Sequence, residues 1–362
     1  MKVLWLSPNF NHYKARFLNL LVEKSNIELT VIVGSKSEGI GHEEIEADWN
    51  FNLTRINVSK KRFGYSFNVM KIVLGCFGSY DWVMIPREKK NIALIFCAYL
   101  FRKISFENKT KLVSYNHPFF NNHLSGMFNT MLLMLFYRIY NRIIFYTEYS
   151  AVLAIESGLI KKEKAFWANN TLDEKEIQKH YNYTKPNFEK PNLLFIGRLI
   201  PSKEIALLIK YYQLIKKELP NLSMDIVGDG PEMKKLKTLS RNVPDITIHG
   251  TKNKEIELAP LFEKCSCVFI PGHSGLSINH AFHYGRPYLT LIRKNHAPEI
   301  HYLKDGLNGY ILEGNEEANI ARIVFLLTNQ EKLNSFSKAA LETGKNLSID
   351  NWCEQINRCL SS

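Results

Sequence analysis

Short apolar runs alternate with segments of helical periodicity along most of this chain of 362 residues. Such runs are typical of strands buried on both faces of a parallel sheet, and the segments between them are long enough for covering helices. The alternation occurs twice, which predicts an α/β protein with two doubly wound parallel sheets. The predicted strands are Val3–Ser7, Leu29–Val33, Trp82–Ile85, Leu112–Tyr115 and Ile143–Thr147 in the first series and Leu193–Ile196, Met224–Val227, Ile246–Ile248, Val268–Ile270, Tyr288–Leu291 and Tyr310–Leu312 in the second.

A break in the pattern separates the two series. Residues 181–191 (YNYTKPNFEKP) hold two prolines and show no apolar periodicity, which predicts an interdomain linker. The N-terminal domain is therefore placed at residues 1–180 and the C-terminal domain at residues 192–345. We expect residues 346–362 to form a helix that crosses back to the N-terminal domain. For two doubly wound halves, the expected ligand site is a cleft at the carboxyl ends of the strands.

The stretch from Met127 to Phe145 is rich in Met, Leu, Phe, Tyr and Ile. Its apolar character raises the question of a transmembrane span, but Arg138, Asn141 and Arg142 interrupt it and a strand begins within it. We interpret the stretch as a buried crossover helix. A helix that lies on a membrane surface is the alternative.

The charge balance favours an anionic partner, because the formal net charge is +12 and the pI is about 9.2. Nucleic acid, an anionic membrane and an anionic substrate all suit such a balance. Small basic clusters such as residues 60–62 carry the charge, and no helix-turn-helix, zinc or aromatic RNA-binding motif accompanies them, so nucleic acid is not expected. Six cysteines without a Cys-x-x-Cys pair and an N-terminus without a signal-peptide pattern predict a cytoplasmic protein. We further expect that such a protein could contact the inner face of an anionic membrane peripherally.

A strand–turn–helix–strand unit at residues 267–292 (CVFIPGHSGLSINHAFHYGRPYLTLI) carries the first chemical signal. A glycine-containing turn precedes the helix, so the backbone N–H groups of Ser274, Gly275 and Leu276 lack helix partners at its positive end. Such an end is typical of a phosphate site. A purely structural loop is the alternative, since glycine turns before helices are common.

Four segments of the second half resemble a known family in the expected order. They are FIGRLIPSKEIALLI (195–209), DIVGDGPE (225–232), ITIHGTKNKEIELAPLFEKCSCVFIPG (246–272) and APEIHYLKDGLNGYIL (297–312). Together they resemble the retaining glycosyltransferases of family 4, also called glycosyl transferases group 1. That family has the GT-B fold, in which two Rossmann-like domains face a cleft. The N-terminal half resembles the family more faintly, through NHYKARFLNLL (11–21) and NNTLD (169–173).

The resemblance implies a metal-independent enzyme that transfers a sugar, with retention, from a nucleotide-diphosphate donor to a glycan or a lipid-linked glycan. The donor would be a UDP- or GDP-sugar, and no cofactor is implied. Two alternatives share the fold: a catalytically silent sugar-nucleotide-binding or scaffolding protein, and a nucleotide-sugar epimerase.

The resemblance also assigns roles to single residues. Arg198 and Lys203 would hold the donor diphosphate, Thr251 and Lys252 would lie at the base, and His117 would face the donor sugar and the acceptor. For Arg198 and Lys203 the alternative is a surface ion pair. For Thr251 and Lys252 it is an ordinary loop, and for His117 it is a capping histidine. The implied catalytic residues are His117, Arg198 and Lys203, and the implied donor-binding residues are Gly197, Arg198, Lys203, Thr251, Lys252, Ser274, Gly275, Leu276 and His280.

The centre of the implied site departs from the family pattern. The family has two glutamates separated by seven residues, and alignment on Gly285 and Pro287 places Gly272 at the first and His280 at the second. A glycine offers no carboxylate to the donor sugar, whereas a neutral imidazole can accept one hydrogen bond from the ribose. We interpret the chain as a sub-branch of the family that lacks the glutamate pair. For His280 the alternative is a helix-face histidine packed against the neighbouring sheet.

Overall fold

The chain folds into two compact units, each with its own parallel sheet. The computed structural model describes residues 1–8, 10, 12–36, 47–59, 61–104, 109–116 and 127–361. Unit 1 comprises Met1–Asn170 and Ile349–Ser362, and unit 2 comprises Thr171–Ser348. Residues 181–191, predicted as a linker, lie inside unit 2. Tyr181 is buried there and donates a hydrogen bond from its hydroxyl to the carbonyl of Tyr284 at 3.1 Å, so this segment packs as part of the unit.

Unit 1 is built on a seven-stranded sheet. Its strands are β1 (Lys2–Ser7), β2 (Glu28–Val33), β3 (Asn52–Arg55), β4 (Trp82–Met84), β5 (Lys111–Asn116), β6 (Arg142–Phe145) and β7 (Ala165–Trp167). They pair in parallel in the order β3-β2-β1-β4-β5-β6-β7. The helices between them are α1 (His12–Lys24), α2 (Phe67–Gly75), α3 (Ile92–Ile104), α4 (Met127–Ile139) and α5 (Glu148–Glu156).

The strands of unit 1 carry apolar side chains on both sides, so both faces of the sheet need cover. On one face, α2 to α5 contribute Leu94, Phe136 and Ala151 to a core with Val83 of β4. On the other face, α1 contributes Phe17 and other residues to a second core. Two cores on opposite faces are the expected consequence of a doubly wound sheet.

Unit 2 repeats the plan with six strands. Its strands are β8 (Asn192–Ile196), β9 (Ser223–Val227), β10 (Ile246–Gly250), β11 (Cys267–Phe269), β12 (Tyr288–Leu291) and β13 (Gly309–Leu312). They pair in parallel in the order β10-β9-β8-β11-β12-β13. The helices are α6 (Glu174–Gln178), α7 (Ile205–Glu218), α8 (Met233–Ser240), α9 (Glu255–Lys264), α10 (Ser277–His283), α11 (Glu316–Thr328) and α12 (Gln330–Asn346). The strand order reverses between β8 and β11, which is where such sheets bind ligands.

The last helix, α13 (Ile349–Ser361), belongs to unit 1 rather than to the unit that precedes it in the chain. Its residue Trp352 is buried, with its ring centroid 5.4 Å from that of Phe17 of α1. Asp350 forms an ion pair with Lys24 at 2.7 Å. These contacts place the helix on the α1 face of the first sheet.

All the strands predicted from the sequence are present, with ends displaced by one or two residues at most. Two further strands, β3 and β7, were not predicted from the sequence. Both lie at the edges of the unit 1 sheet, where β3 is exposed throughout and β7 is only half-buried, so neither has a buried apolar run. The apolar stretch 127–145 is divided between α4 and β6, and α4 joins β5 to β6 as a crossover helix, as predicted.

No helix in the described ranges has both the length and the apolar character needed to cross a membrane.

Candidate functional site

The first feature of the site is a close approach of two loops at the carboxyl ends of β8 and β9. Gly197 follows β8 with a φ of +153°, and Gly228 follows β9 with a φ of +139°. A Cβ atom on Gly228 would stand 1.9 Å from the carbonyl oxygen of Gly197. Only glycine permits this backbone-to-backbone contact. The contact fixes the path of the chain from Gly197 to Lys203.

Lys203 is a buried cation in this path. It ends a short 3₁₀ turn, and the next residue, Glu204, has a φ of +57° and accepts two hydrogen bonds from the guanidinium of Arg293, at 2.8 and 2.6 Å. The Lys203 ammonium donates to the carbonyl oxygen of His273 at 2.7 Å. Burial, with a smaller effect of the Arg198 charge and an opposing effect of Glu299, lowers the pKa of Lys203 to about 8. The group is therefore charged at neutral pH and loses its charge in mildly alkaline solution.

Gly272 lies against the same segment. The backbone N–H of the next residue, His273, donates to the carbonyl of Ser202 at 2.7 Å. A Cβ atom on Gly272 would stand 2.2 Å from that carbonyl oxygen and 2.7 Å from the carbonyl carbon of Lys203. No side chain fits at position 272 unless the 202–203 backbone moves. The glycine at position 272 thus has a packing reason.

Ser274 is held by a buried hydrogen-bond network. Its hydroxyl lies 3.1 Å from the hydroxyl of Thr290 and accepts from the Tyr288 hydroxyl at 3.0 Å. Its backbone N–H donates to Nδ1 of His296 at 3.0 Å, and Nε2 of His296 lies 2.9 Å from the carbonyl of Leu291. The Ser274 amide, predicted to face an anion, therefore already has a partner. Sequence reasoning missed His296, because only the folded loop brings it to the turn.

The backbone N–H groups of Gly275 and Leu276 are the other two that were predicted to face an anion. No hydrogen bond joins either N–H group to another residue that the structure describes. A buried carboxylate, Glu299, lies beside them: one of its oxygens is 3.8 Å from the position of a Cβ atom on Gly275. Glu299 belongs to the APEI segment (297–300), which is part of the family resemblance. That segment was the sequence signal for Glu299, although no role was assigned to this residue.

Arg198 differs from Lys203 in being exposed. Its side chain makes no hydrogen bond or ion pair with the parts of the chain that the structure describes, although its charge lowers the pKa values of both Lys203 and His273. For His273 the larger cause is burial, and its pKa falls to about 4. The loops after β8 and β11 thus bring two cations and two backbone amides to one end of the sheet. Such a set can bind an anion with several oxygens.

His280 lies on α10, beyond this turn, and has a carboxylate partner. Its Nε2 is 3.1 and 3.2 Å from the two oxygens of Glu255, the first residue of α9, and Glu255 also accepts from the Tyr284 hydroxyl at 2.7 Å. The rings of Phe262 and Tyr284 stack at 3.9 Å beneath the group. The predicted role of His280 as a lone acceptor must therefore be revised, because one ring nitrogen faces Glu255. Sequence reasoning missed Glu255, which is distant from His280 along the chain.

Thr251 and Lys252 occupy the loop between β10 and α9. Thr251 is exposed, and the Lys252 ammonium donates to Glu257 at 3.3 Å. The loop leads directly into Glu255. The predicted base-binding residues are thus near Glu255 in the chain, while Arg198 and Lys203 belong to the loop after β8.

In unit 1, His117 lies outside the described residues. The carboxyl ends of the unit 1 strands border a cavity of about 190 Å³. Trp5, Tyr115, Tyr146 and Trp352 supply aromatic walls, and Lys14, Glu88, Lys90 and Asn170 add polar groups. An aromatic wall with polar groups at the rim suits a ligand that is partly apolar and partly hydroxylated.

The comparison with known families matches mainly the second half of the chain. The model of glycosyl transferases group 1 matches residues 176–343, which make up most of unit 2. A poly(glycerol-phosphate) alpha-glucosyltransferase of Bacillus subtilis (strain 168) is 27% identical over 184 residues, which cover 48% of this chain and 26% of that protein. An uncharacterised glycosyltransferase of Methanocaldococcus jannaschii is 25% identical over 308 residues, 79% of this chain and 73% of that one. The chain therefore spans only about a quarter of the Bacillus protein.

The fold is that of a known structural class. The structure of Alr3699/HepE of Anabaena in complex with UDP and glucose is similar to the whole chain, with a TM-score of 0.67, 16% identity and coverage of 100% of both chains. The two parallel-sheet, Rossmann-like units are those of the GT-B fold. Unit 2 is thus similar in sequence to glycosyl transferases group 1, and the whole chain is similar to HepE in fold.

Proposed function

We propose that this protein is a glycosyltransferase that transfers a sugar from a nucleoside-diphosphate donor to a glycan or lipid-linked glycan, with retention and without a metal ion. The observation that carries the proposal is the set of anion-binding groups at one turn of unit 2. Arg198, Lys203 and the amides of Gly275 and Leu276 lie on the two loops that flank the reversal of strand order. A diphosphate is the ligand that such a set fits best.

The chemistry follows from where charge develops. Breakage of the bond between the sugar and the diphosphate leaves negative charge on the phosphate oxygens. Buried Lys203 and exposed Arg198 offset that charge, and Lys203 is held in place by His273 before the donor arrives. Charges arranged in advance in a low-dielectric site lower the barrier without reorganisation. Two cations supply this function, so the proposed reaction needs no metal ion.

The rest of the donor would extend from the turn towards α9. Thr251 and Lys252 would contact the base, and the Glu255–His280 pair would accept hydrogen bonds from the ribose. A carboxylate can accept two bonds from adjacent hydroxyls, so Glu255 would supply the acceptor capacity that His280 lacks. UDP-sugars are the first donors to test, because HepE, which has the same fold, binds UDP. GDP-sugars are the second.

The acceptor would bind in unit 1. The aromatic cavity there suits the apolar face and the hydroxyl groups of a sugar ring. The name of the Bacillus relative makes a polyol-phosphate glycan one acceptor to test. A cytoplasmic enzyme that works on a lipid-linked glycan would act at the inner face of the membrane.

Turnover of a donor tests this proposal. The purified chain is incubated with a panel of UDP- and GDP-sugars, a crude cell-envelope acceptor and a chelator, and release of the nucleoside diphosphate is measured. We expect acceptor-dependent release that Lys203→Met abolishes. The absence of a carboxylate at Gly272 favours a second candidate, a sugar-nucleotide-binding protein without activity. Binding of the donor with no release under any acceptor would select that candidate and contradict the first.

A further inference from the structure

Unit 1 exposes a set of large apolar side chains on one side of its sheet. The short turn before α2 and the outer surfaces of α2 and α3 present Tyr65, Phe67, Leu100 and Ile104, which are 56%, 77%, 53% and 75% exposed. Phe67 begins α2, while Leu100 and Ile104 are one helical turn apart on α3. Neighbouring α4 adds Met131, Met134 and Leu135. A patch of several large, exposed apolar side chains is typical of an interaction surface.

These side chains belong to one surface because the three helices pack side by side on the same face of the sheet. Leu94 of α3 and Phe136 of α4 share a core with Val69 of α2. Phe96 and Phe136 meet edge to face, with ring centroids 6.4 Å apart. The buried sides of α2 to α4 thus face the sheet, and their exposed apolar residues point away from it.

Positive charge accompanies the apolar residues. Lys61, Arg62, Lys71 and Lys103 are exposed beside them, and Lys71 is one helical turn from Phe67. Between residues 61 and 145 the sequence holds twelve Lys and Arg residues but only three Asp and Glu residues. Most of the net charge of the chain therefore comes from the segment that contains α2 to α4. We call the surface made by Lys61, Arg62, Tyr65, Phe67, Lys71, Leu100, Lys103 and Ile104 the basic apolar face.

We infer that the basic apolar face docks on an anionic lipid bilayer. Lysines attract the anionic headgroups, and the apolar side chains beside them enter the region between headgroups and acyl chains. The helices are too short to span a bilayer, since α3 and α4 have 13 residues each, or roughly 20 Å of helix. A second copy of the chain is a poor occupant, because two such faces would bring like charges together.

This inference does not rest on sugar transfer, because the face lies wholly on unit 1 and can be tested without donor. The full chain is mixed with vesicles of phosphatidylcholine alone or of phosphatidylcholine with phosphatidylglycerol, at low and high salt, and co-flotation is measured. We expect flotation with the anionic vesicles that high salt weakens. Phe67→Ser with Ile104→Ser should reduce the partition coefficient about tenfold or more, since two buried apolar side chains are lost. Lys71→Gln with Lys103→Gln should reduce it about fivefold for each lysine.

The matched control is Leu307→Ser with Phe325→Ser, two unit 2 residues that are 55% and 52% exposed. It should float like the wild type, and thermal melting of each variant shows that it is folded. Equal flotation with both kinds of vesicle, or equal loss in the control, would overturn the inference. So would self-association of the chain without lipid that Phe67→Ser with Ile104→Ser abolishes, because the face would then be a contact between copies.

Discussion

The two units share the same order over six strands, with a seventh strand at the edge of unit 1, but use the ends of their strands differently. In unit 2, the loops at the reversal of strand order are glycine-rich, approach each other backbone to backbone and surround a buried lysine. In unit 1, the corresponding ends border a cavity lined by Trp5, Tyr115, Tyr146 and Trp352. The comparison teaches that the same sheet supports two chemistries. The tight backbone turns of unit 2 suit an anion, and the aromatic walls of unit 1 suit a hydroxylated, partly apolar ligand.

The outer surfaces differ as well. Among the residues that the structure describes, most of the exposed large apolar side chains of unit 1 lie on α2 to α4 or on the turn before α2, whereas those of unit 2 lie on separate helices and turns. All five tryptophans lie in unit 1, and all histidines whose side chains the structure describes lie in unit 2. Tryptophan fluorescence therefore reports on unit 1 alone, while circular dichroism reports on both units. The two probes allow the following predictions to be assigned to a unit.

The largest effect should come from a glutamate at position 272, the residue that the resemblance implies there. A side chain there would displace the 202–203 backbone, because its Cβ would stand 2.2 Å from the Ser202 carbonyl. We expect Gly272→Glu to lower the free energy of unfolding by about 3 kcal/mol and to weaken nucleotide binding. Chemical unfolding followed by circular dichroism measures the loss. Gly75→Ala of unit 1, where nothing lies within 4 Å, is the control and should change stability by less than about 1 kcal/mol. Full stability of Gly272→Glu would mean that the turn is not packed as described.

Acid should act on unit 2 through His283. Burial, with a smaller effect of His280, lowers the pKa of His283 to about 4, so the unfolded chain binds its proton at higher pH than the folded chain. Stability should therefore fall as the pH drops from about 6.5 towards 4. Between about pH 7 and pH 5 the loss from this residue is on the order of 2 kcal/mol. His283→Leu should flatten the pH dependence of unfolding by that amount. An unchanged slope would show that His283 titrates normally.

Alkali should act on the binding site through Lys203. Its pKa of about 8 in the free protein means that the charge which attracts a diphosphate is present below that pH and is lost above it. Affinity for a nucleoside diphosphate should fall about tenfold between about pH 7 and pH 9. Calorimetric titration across this range measures the effect. Lys203→Met should bind more weakly and show no such dependence. A wild-type affinity that is constant with pH would count against Lys203 as a ligand of the phosphate.

The smallest effect concerns the ribose. If the Glu255–His280 pair reads the ribose, wild-type protein should prefer a ribonucleotide to its 2′-deoxy form, and Glu255→Gln should reduce that preference about fivefold, the loss of one hydrogen bond. The ratio of the two dissociation constants is the measurement. Glu257→Gln, two residues further along α9 and paired with Lys252, is the matched control. If Glu255→Gln leaves the ratio intact, the pair only packs α10 against α9.

How far the sequence predicted the molecule depends on the range of the interactions. Strands with buried runs, such as Val3–Ser7, were predicted because their signal is local. The exposed edge strand β3 lacks that signal. The turn at residues 272–276 was also predicted, since glycine and helix signals are local. By contrast, His296 caps the amide of Ser274, and Glu255 meets His280, only after distant loops have folded together. No pattern of spacing reveals such pairs.

The same limit applies to Gly272. The family resemblance implies a glutamate at position 272, whereas the structure shows that the backbone of Ser202 leaves no room for a side chain there. The role implied for His117 stays a prediction, because this residue lies outside the part of the chain that the structure describes.

The central claim is that unit 2 binds a nucleoside diphosphate through Arg198 and Lys203 without a metal ion. Calorimetric titration of UDP and GDP into the full chain, with a chelator present, tests it most directly. We predict binding of at least one of them, weakened by about 1.5–3 kcal/mol in Arg198→Ala, as expected for a hydrogen bond to a charged group, and by a similar amount in Lys203→Met. Lys234→Met, which removes an exposed lysine of α8, should bind like the wild type. Binding that requires magnesium, or equal affinity in Arg198→Ala, Lys203→Met and wild type, would contradict the claim.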